Sequence, residues 1–410
     1  MDDPVLEVRD LTVEFTTHGG HFTAVQNASF TVRRGEVLAI VGESGSGKSV
    51  MTQSLVKLIP SPPSRITGGS AVFEGQDLVP LKPEDLRRIR GRKIGVIFQD
   101  AMTALNPTMR IGLQISESLR EHFHFRGKKR AALIRVLLDR LKNGENREEI
   151  IDWWIREFFY GEDDLSPWRR DLLSLLEAKD PLPGLDRWIK TTGGMTAARA
   201  KAITLRLLEM VKIPDPAKRF HQYIFQLSGG MRQRIMIAMA MACRPSLIIA
   251  DEPTTALDVT IKGEVLDLLI ELKRRLGISV VLITHDLGIV ASYADRIGVL
   301  YAGGLVEMGT VDDMFYHPRH PYTLGLLHSI PRLETSMDKA LEPITGSPPN
   351  PLERRPGCAF ADRCRYAMKI CYIKNPAPRD ICETHWAACF LPDERAVSAA
   401  ALVGYQGEPG

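Results

Sequence analysis

The sequence predicts an α/β fold: a mostly parallel sheet around a phosphate-cradling loop, an antiparallel β layer ahead of it, a helical subdomain carrying an insertion, and a cysteine-containing C-terminal extension. Three observations carry that prediction. Gly42-Glu43-Ser44-Gly45-Ser46-Gly47-Lys48-Ser49 matches G-x-x-x-x-G-K-[ST], with the apolar run Val37–Val41 before it and a helix-competent run from Val50 to Val56 after it. Short apolar runs at 94–98, 247–250 and 279–284 alternate with helical stretches, as parallel strands joined by helices require. Between 101 and about 225 helical periodicity replaces the strand signal, and beyond Pro318 the chain turns proline-rich and less periodic.

Residues 5–41 alternate apolar and polar side chains (Val5, Glu7, Val8, Leu11, Val13, Phe15), with turn residues at 18–20 and 33–36, which predicts antiparallel strands leading into the loop. Phe15 closes the first of these strands, where it can stack on a purine base or serve as an ordinary strand aromatic. In the loop, the glycines let successive N–H groups face phosphate oxygens at a helix N-terminus. Lys48 then reaches the β- and γ-phosphates and the Ser49 hydroxyl holds Mg²⁺. The chain is therefore expected to bind a nucleoside triphosphate.

Further strand and turn residues at 66–80 precede a basic helix expected over 82–92. The buried strand 94–98 delivers Gln99 to its end, where ligand-touching residues leave an open α/β sheet. Within the helical region, 127–192 holds four of the five tryptophans (Trp153, Trp154, Trp168, Trp188) among dense charges and breakers, which predicts an insertion with its own small core. Ser228 is placed to N-cap a helix closed by Pro245. Strands follow at 247–250 and 279–284, with a helix over 261–276 between them and two last strands at 296–301 and 304–309.

A net charge of +3 on 410 residues implies neither nucleic acid nor an acidic membrane surface. No apolar run approaches the ~20 residues that span a bilayer, and Met-Asp-Asp-Pro-Val-Leu-Glu lacks the layout of a signal peptide. A cytosolic chain, or one peripheral on the inner side of a membrane, is expected. Five of the six cysteines crowd into 358–389, which in a reducing compartment points to metal more than to disulfides.

Asp251 and Glu252 follow an apolar strand and divide two tasks. Asp251 can hold Mg²⁺ through water, while Glu252 orients and polarises a water for attack on the γ-phosphate. Lys48, Mg²⁺ and a water-orienting carboxylate form a near-minimal set for phosphoryl transfer, which demands mostly positioning and charge neutralisation. His285 ends the next strand and can hydrogen-bond the γ-phosphate, or it is structural.

Gly42–Ser49, Gln99, Leu227-Ser228-Gly229-Gly230-Met231, Leu247–Glu252, Thr255-Ala256-Leu257-Asp258 and His285 occur together and in order. This series resembles the nucleotide-binding subunit of an ATP-binding cassette (ABC) transporter, over roughly 1–126 and 193–320. The resemblance implies a phosphate-loop ATPase core with a nucleotide-binding domain at 1–320, a helical subdomain at about 101–235 and an extension at 321–410. It implies ATP and Mg²⁺ as cofactors, with Ser49, Gln99 and Asp251 around the ion, Glu252, Gln99 and His285 as the catalytic group, and Phe15 beside the base. It also implies two such subunits head to tail, identical or paralogous. Each ATP would lie between Gly42, Glu43, Ser44, Gly45, Ser46, Gly47, Lys48 and Ser49 of one and Ser228, Gly229 and Gly230 of the other, with Asp258 at the seam.

Phe98–Pro107, Gly230–Ala240, His317-Pro318-Arg319-His320-Pro321-Tyr322-Thr323, Gly346-Ser347-Pro348-Pro349 and Gly357-Cys358-Ala359-Phe360 look like the dipeptide/oligopeptide importer ATPases. That likeness implies two integral membrane permease subunits, an extracytoplasmic substrate-binding protein acting through them, no nucleic acid, and a place on the cytoplasmic face of the inner membrane. Nickel or another small solute is an alternative cargo. The long 127–192 segment and Tyr223-Ile224-Phe225, where the family usually shows Tyr-Pro-His, depart from the pattern. Cys358, Cys364, Cys371 and Cys389 resemble the tail cysteines that some members use for a [4Fe–4S] cluster. On donor count Zn²⁺ fits equally well, spacings longer than C-x₂-C argue against a zinc ribbon, and plain buried thiols are the third reading. A soluble cassette ATPase acting on DNA or the ribosome is the competing class. The insertion is too short and too broken for a DNA-repair coiled coil, and only one cassette is present.

Overall fold

The computed structural model describes residues 4–17, 19–123, 128–144, 146, 148–152, 166–177, 183–185, 187–188, 195–255, 258–329, 344–353 and 356–391. The chain divides into two compact units, 1–101 with 244–410, and 102–243. The extension beyond 320 groups with the first unit.

That unit holds two sheets. β1 (Leu6–Thr17) pairs antiparallel with β2 (Gly20–Val32) and β4 (Ser64–Phe73), and the short β5 (Gln76–Asp77) completes a sheet of order β2-β1-β4-β5. The alternation read along 5–41 survives as the buried face Leu6, Val8, Leu11 and Val13. The second sheet runs β11 (Arg379–Asp380), β12 (Trp386–Ala387), β10 (Gly304–Thr310), β9 (Arg296–Tyr301), β3 (Val37–Val41), β8 (Ser279–Thr284), β7 (Leu247–Asp251) and β6 (Ile94–Ile97). Its heart is parallel: β3 (Val37–Val41), β7 (Leu247–Asp251) and β8 (Ser279–Thr284) are buried along their whole length. Continuous apolar runs, rather than alternating ones, are what a sheet covered on both faces selects. β6 (Ile94–Ile97) and β9 (Arg296–Tyr301) flank this core, and β10 (Gly304–Thr310) turns back antiparallel to β9.

The basic helix expected over 82–92 is shorter, α2 (Pro83–Arg87), after α1 (Lys48–Leu55). Gly91 takes φ +73°, and Arg90 turns away to donate to the carbonyls of Val56 and Lys57 at 2.5 and 2.7 Å, so the helix ends early. α3 (Ala101–Ala104) follows β6.

In the second unit, α4 (Ile111–His122) and α7 (Ala197–Met210) join through Ser116 and Thr204, whose hydroxyls lie 3.0 Å apart. Between them come α5 (Lys128–Lys142) and α6 (Ser166–Leu176). Within 127–192, Ile134, Leu137, Ile150, Ile151, Leu172, Leu185 and Trp188 are buried among the described residues. Arg169 pairs with Glu148 and, at 3.2 Å, with Asp152. Trp188 donates to Asp171 at 3.4 Å, whereas Trp153 and Trp154 lie outside the described residues. The N–H of Met195 donates to the carbonyl of Phe123 at 3.1 Å, so the two ends of the insertion meet. α8 (Pro216–Phe220) leads to α9 (Gly229–Met241), which Ser228 caps by accepting from the Met231 N–H at 3.4 Å.

Back in the first unit come α10 (Val259–Leu276), α11 (Leu287–Tyr293), α12 (Val311–Tyr316) and α13 (Pro321–His328), and Leu287, Val290, Met314, Tyr322 and Leu327 of the last three pack with Val41, Ile297 and Val299 of the sheet. The extension then adds β11 (Arg379–Asp380) and β12 (Trp386–Ala387) to the sheet edge at β10. Glu307 of β10 is wholly buried, and an unpaired charge there would be costly. It accepts from the N–H groups of Arg319 and His320 at 2.6 and 3.0 Å and lies 2.8 Å from His385 Nε2, which fastens the extension down. Among the described residues no helix is long and apolar enough to cross a membrane.

Candidate functional site

The phosphate loop joins β3 to α1 and borders a cavity of about 870 Å³ in the first unit. Its backbone leaves room only for glycine at two points. A Cβ on Gly42 would lie 2.2 Å from the Leu300 carbonyl, and one on Gly47, at φ +101°, 2.6 Å from that of Ala24. Lys48 curls back over the loop, donating to the carbonyls of Gly42 and Glu43 at 2.7 and 2.9 Å. Burial pushes its pKa down, opposed by the carboxylates of Glu252, Asp251 and Glu43. Its ammonium is the cation that phosphate oxygens would meet.

Ser49 donates to Asp251 Oδ1 at 2.9 Å, and Gln53 holds the other oxygen at 3.0 Å. Burial pushes the Asp251 carboxyl up, against these hydrogen bonds. Ser49 and Asp251 supply the hard oxygen donors that suit Mg²⁺, an ion that binds through one or two carboxylates plus substrate phosphates.

Glu252 sits at φ +46°, a left-handed conformation that costs a non-glycine residue on the order of 1–2 kcal/mol. Its N–H donates to the Ile283 carbonyl at 2.9 Å, and its carboxylate is held from three directions. Gln99 donates to Oε2 at 3.0 Å, Thr255 donates to the same oxygen at 2.8 Å, and His285 Nδ1 lies 3.3 Å from Oε1. The three residues expected to act together thus meet at one carboxylate. Phe15 lines the cavity and stacks on Phe22, centroids 5.4 Å apart and planes 8° from parallel.

Other expected residues stand elsewhere. Ser228, Gly229 and Gly230 belong to the second unit, and Asp258 is exposed at the start of α10, outside the cavity lining. Cys358, Cys364, Cys371 and Cys389 border one void of about 20 Å³, roughly one water in size, while Cys382 is exposed and does not border it. Burial and the neighbouring thiols push Cys364 and Cys389 up to about 11, and burial pushes Cys358 up as well. Among the described residues no group of three or more His, Cys, Asp or Glu is arranged to hold a metal ion. The thiols are gathered but not set as ligands.

Sequence reasoning missed Gln53, although it follows Ser49 by one helical turn and so must share its face. It also missed Thr255 on Glu252. It gave no sign that Pro348, Asn350, Gly357, Asp362, Tyr372 and Asn375 of the extension would wall the cavity. No local pattern links residues so far apart in sequence.

A glycine-cradled lysine, a serine–aspartate oxygen pair and an oriented glutamate at the C-terminal ends of parallel strands define a phosphate-loop ATPase. The chain is one. More narrowly, it belongs to the ABC transporter family, whose model matches residues 25–255, and residues 306–371 match the oligopeptide/dipeptide transporter C-terminal region. It is 43% identical over 387 residues to the oligopeptide transport ATP-binding protein OppD of Bacillus subtilis (strain 168), covering 94% of this chain and 88% of that protein. With the dipeptide transport ATP-binding protein DppD of the same strain it shares 41% over 397 residues, 97% of each. With OppD of Salmonella typhimurium (strain LT2) the identity is 40%, over 95% of this chain and 94% of that one. A dimeric ATP-binding cassette, MJ0796, solved in a post-hydrolysis state with ADP and Pi, aligns with a TM-score of 0.52 over 75% of this chain and 98% of that one. At 22% identity that likeness is one of fold.

Proposed function

We propose that the chain is the ATP-binding and hydrolysing subunit of an importer of oligopeptides or dipeptides. The observation that carries this reading is Glu252 held by Gln99, Thr255 and His285 beside the Lys48 loop, in a chain whose tail matches the oligopeptide/dipeptide transporter region. ATP lies along Gly42–Ser49 with its base toward Phe15. Lys48 neutralises the β- and γ-phosphates, and Ser49 and Asp251, with Gln99, would hold Mg²⁺, which would supply further charge neutralisation. A water on Glu252 attacks the γ-phosphorus and passes its proton to the carboxylate, while the bond from that phosphorus to the ADP oxygen breaks. Across the nucleotide, Ser228–Gly230 of a second cassette, with Asp258 at the seam, supply further anion donors at a helix N-terminus. Two membrane permeases and an extracytoplasmic substrate-binding protein complete the assembly, and the chain works as a peripheral subunit on the cytoplasmic face.

The test is ATP binding and phosphate release by the assembled complex, with labelled peptide uptake as the second readout. Lys48→Ala should lose nucleotide binding. Unaltered binding by that variant would overturn the site, and ATP-driven uptake of other solutes but not of peptides would overturn the cargo.

The four gathered cysteines match the donor count of a structural [4Fe–4S] cluster, which would require the thiols to lose protons and rearrange into ligand positions. Anaerobically purified protein should then contain iron and acid-labile sulfide. Stoichiometric zinc without iron, or neither metal, would refute this.

A further inference from the structure

Glu43, second residue of the phosphate loop, is held on three sides. Its N–H donates to the Tyr322 hydroxyl at 2.9 Å, and its carbonyl accepts from Lys48 at 2.9 Å. Its carboxylate takes both arms of the Arg363 guanidinium, Nη1 to Oε2 at 2.7 Å and Nη2 to Oε1 at 2.9 Å. Arg363 comes from the C-terminal extension and is only 5% exposed in its side chain. It also donates to the carbonyls of Thr345 and Ile344 at 3.0 and 3.4 Å and to the Tyr301 hydroxyl at 3.3 Å. A two-armed pair of this kind fixes direction as well as distance.

Glu43 lines the same cavity as Lys48, so its charge lies in a site meant for a polyanion. Left alone, that carboxylate would repel a triphosphate and compete for Lys48. With Arg363 across it, the charge is neutralised and the loop carbonyl stays where Lys48 meets it. We propose that Arg363 is a positioning residue for nucleotide binding, so that seating of the C-terminal extension and occupation of the phosphate loop favour each other. This rests on the reading of Gly42–Ser49 as the ATP site. The extension thereby acts on the nucleotide through one ion pair, besides walling its cavity with Tyr372 and Asn375.

The experiment measures ATP affinity of the full chain with a fluorescent analogue at fixed salt. Arg363→Gln should weaken binding about tenfold, within the span usual for coupling between two sites. Arg363→Lys, which keeps the charge and loses the fork, should fall between. Adding Glu43→Gln to Arg363→Gln should bring no further loss and a partial recovery, because the unpaired carboxylate is gone. Purely structural costs would add instead, and additive losses refute the proposal. Should Arg363→Gln fail to fold, Glu43→Gln alone decides. Coupling is reciprocal, so a non-hydrolysable ATP analogue should slow amide exchange of 356–391 in the native chain and do so less in Glu43→Gln. Equal slowing in both refutes it. Lys48→Ala separates the two layers. If it binds ATP normally, the loop reading fails. If it loses ATP while both arginine variants bind like wild type, only the coupling fails.

Discussion

Glu252→Gln tests the hydrolytic reading most directly, because the surrounding geometry is built to survive the change. The carboxylate Oε2 receives Gln99 and Thr255 at 3.0 and 2.8 Å, and an amide oxygen in that position accepts the same two bonds. The amide nitrogen then takes the place of Oε1 and donates to His285 Nδ1, now 3.3 Å away. The backbone at φ +46° is untouched, so shape and nucleotide contacts persist while the base is lost. General-base assistance is worth about 10²–10⁴ in rate, or roughly 2.7–5.5 kcal/mol of barrier. Turnover in the assembled transporter should fall by that factor while the ATP dissociation constant stays within about twofold, each twofold being only ~0.4 kcal/mol. Steady-state phosphate release and equilibrium ATP binding on the same preparation measure both quantities. Turnover within about threefold of wild type would refute Glu252 as the base.

Gly47→Ala places a Cβ 2.6 Å from the Ala24 carbonyl at φ +101°, so it should cost about 2–4 kcal/mol in urea unfolding and weaken ATP binding with it. Glu74 receives Lys93 and Ser246 at 2.8 and 2.6 Å, tying the antiparallel layer to the start of β7. Burial raises its pKa, but the bonds from Lys93 and Ser246 outweigh that and leave it lowered from 4.5. A depressed carboxylate stabilises above its unfolded value and loses that stability as pH falls through the folded one. Glu74→Gln should therefore cost about 1 kcal/mol near neutrality, with the gap to wild type closing below pH 4.5, as thermal melts at several pH values will report. Replacing 127–192 by a short Gly/Ser linker should leave ATP binding intact, since Phe123 and Met195 already meet at 3.1 Å, and weaken assembly with the membrane subunits or their control of ATPase rate. Loss of ATP binding in a folded variant, or unchanged assembly and regulation, would overturn it.

Whatever is written in neighbouring residues was legible before folding. The loop, the buried strands 247–250 and 279–284, the Ser228 cap and the carboxylates at the end of β7 follow from patterns a few residues long, because hydrogen bonding and pleat repeat on that scale. Such patterns overran the helix at 82–92, where Gly91 and the reach of Arg90 to Val56 and Lys57 won over local propensity. Only the tertiary structure decided that Gln99, Thr255 and His285 converge on one oxygen pair, since three separate strand ends and turns must first be aligned by the parallel sheet. It alone joined the extension to the phosphate loop. Arg363 and Glu43 meet because Glu307, buried and in need of partners, holds the chain beyond β10 against the sheet. Burial of charge is a property of the folded whole, so no stretch of sequence announces which carboxylate will need which distant cation.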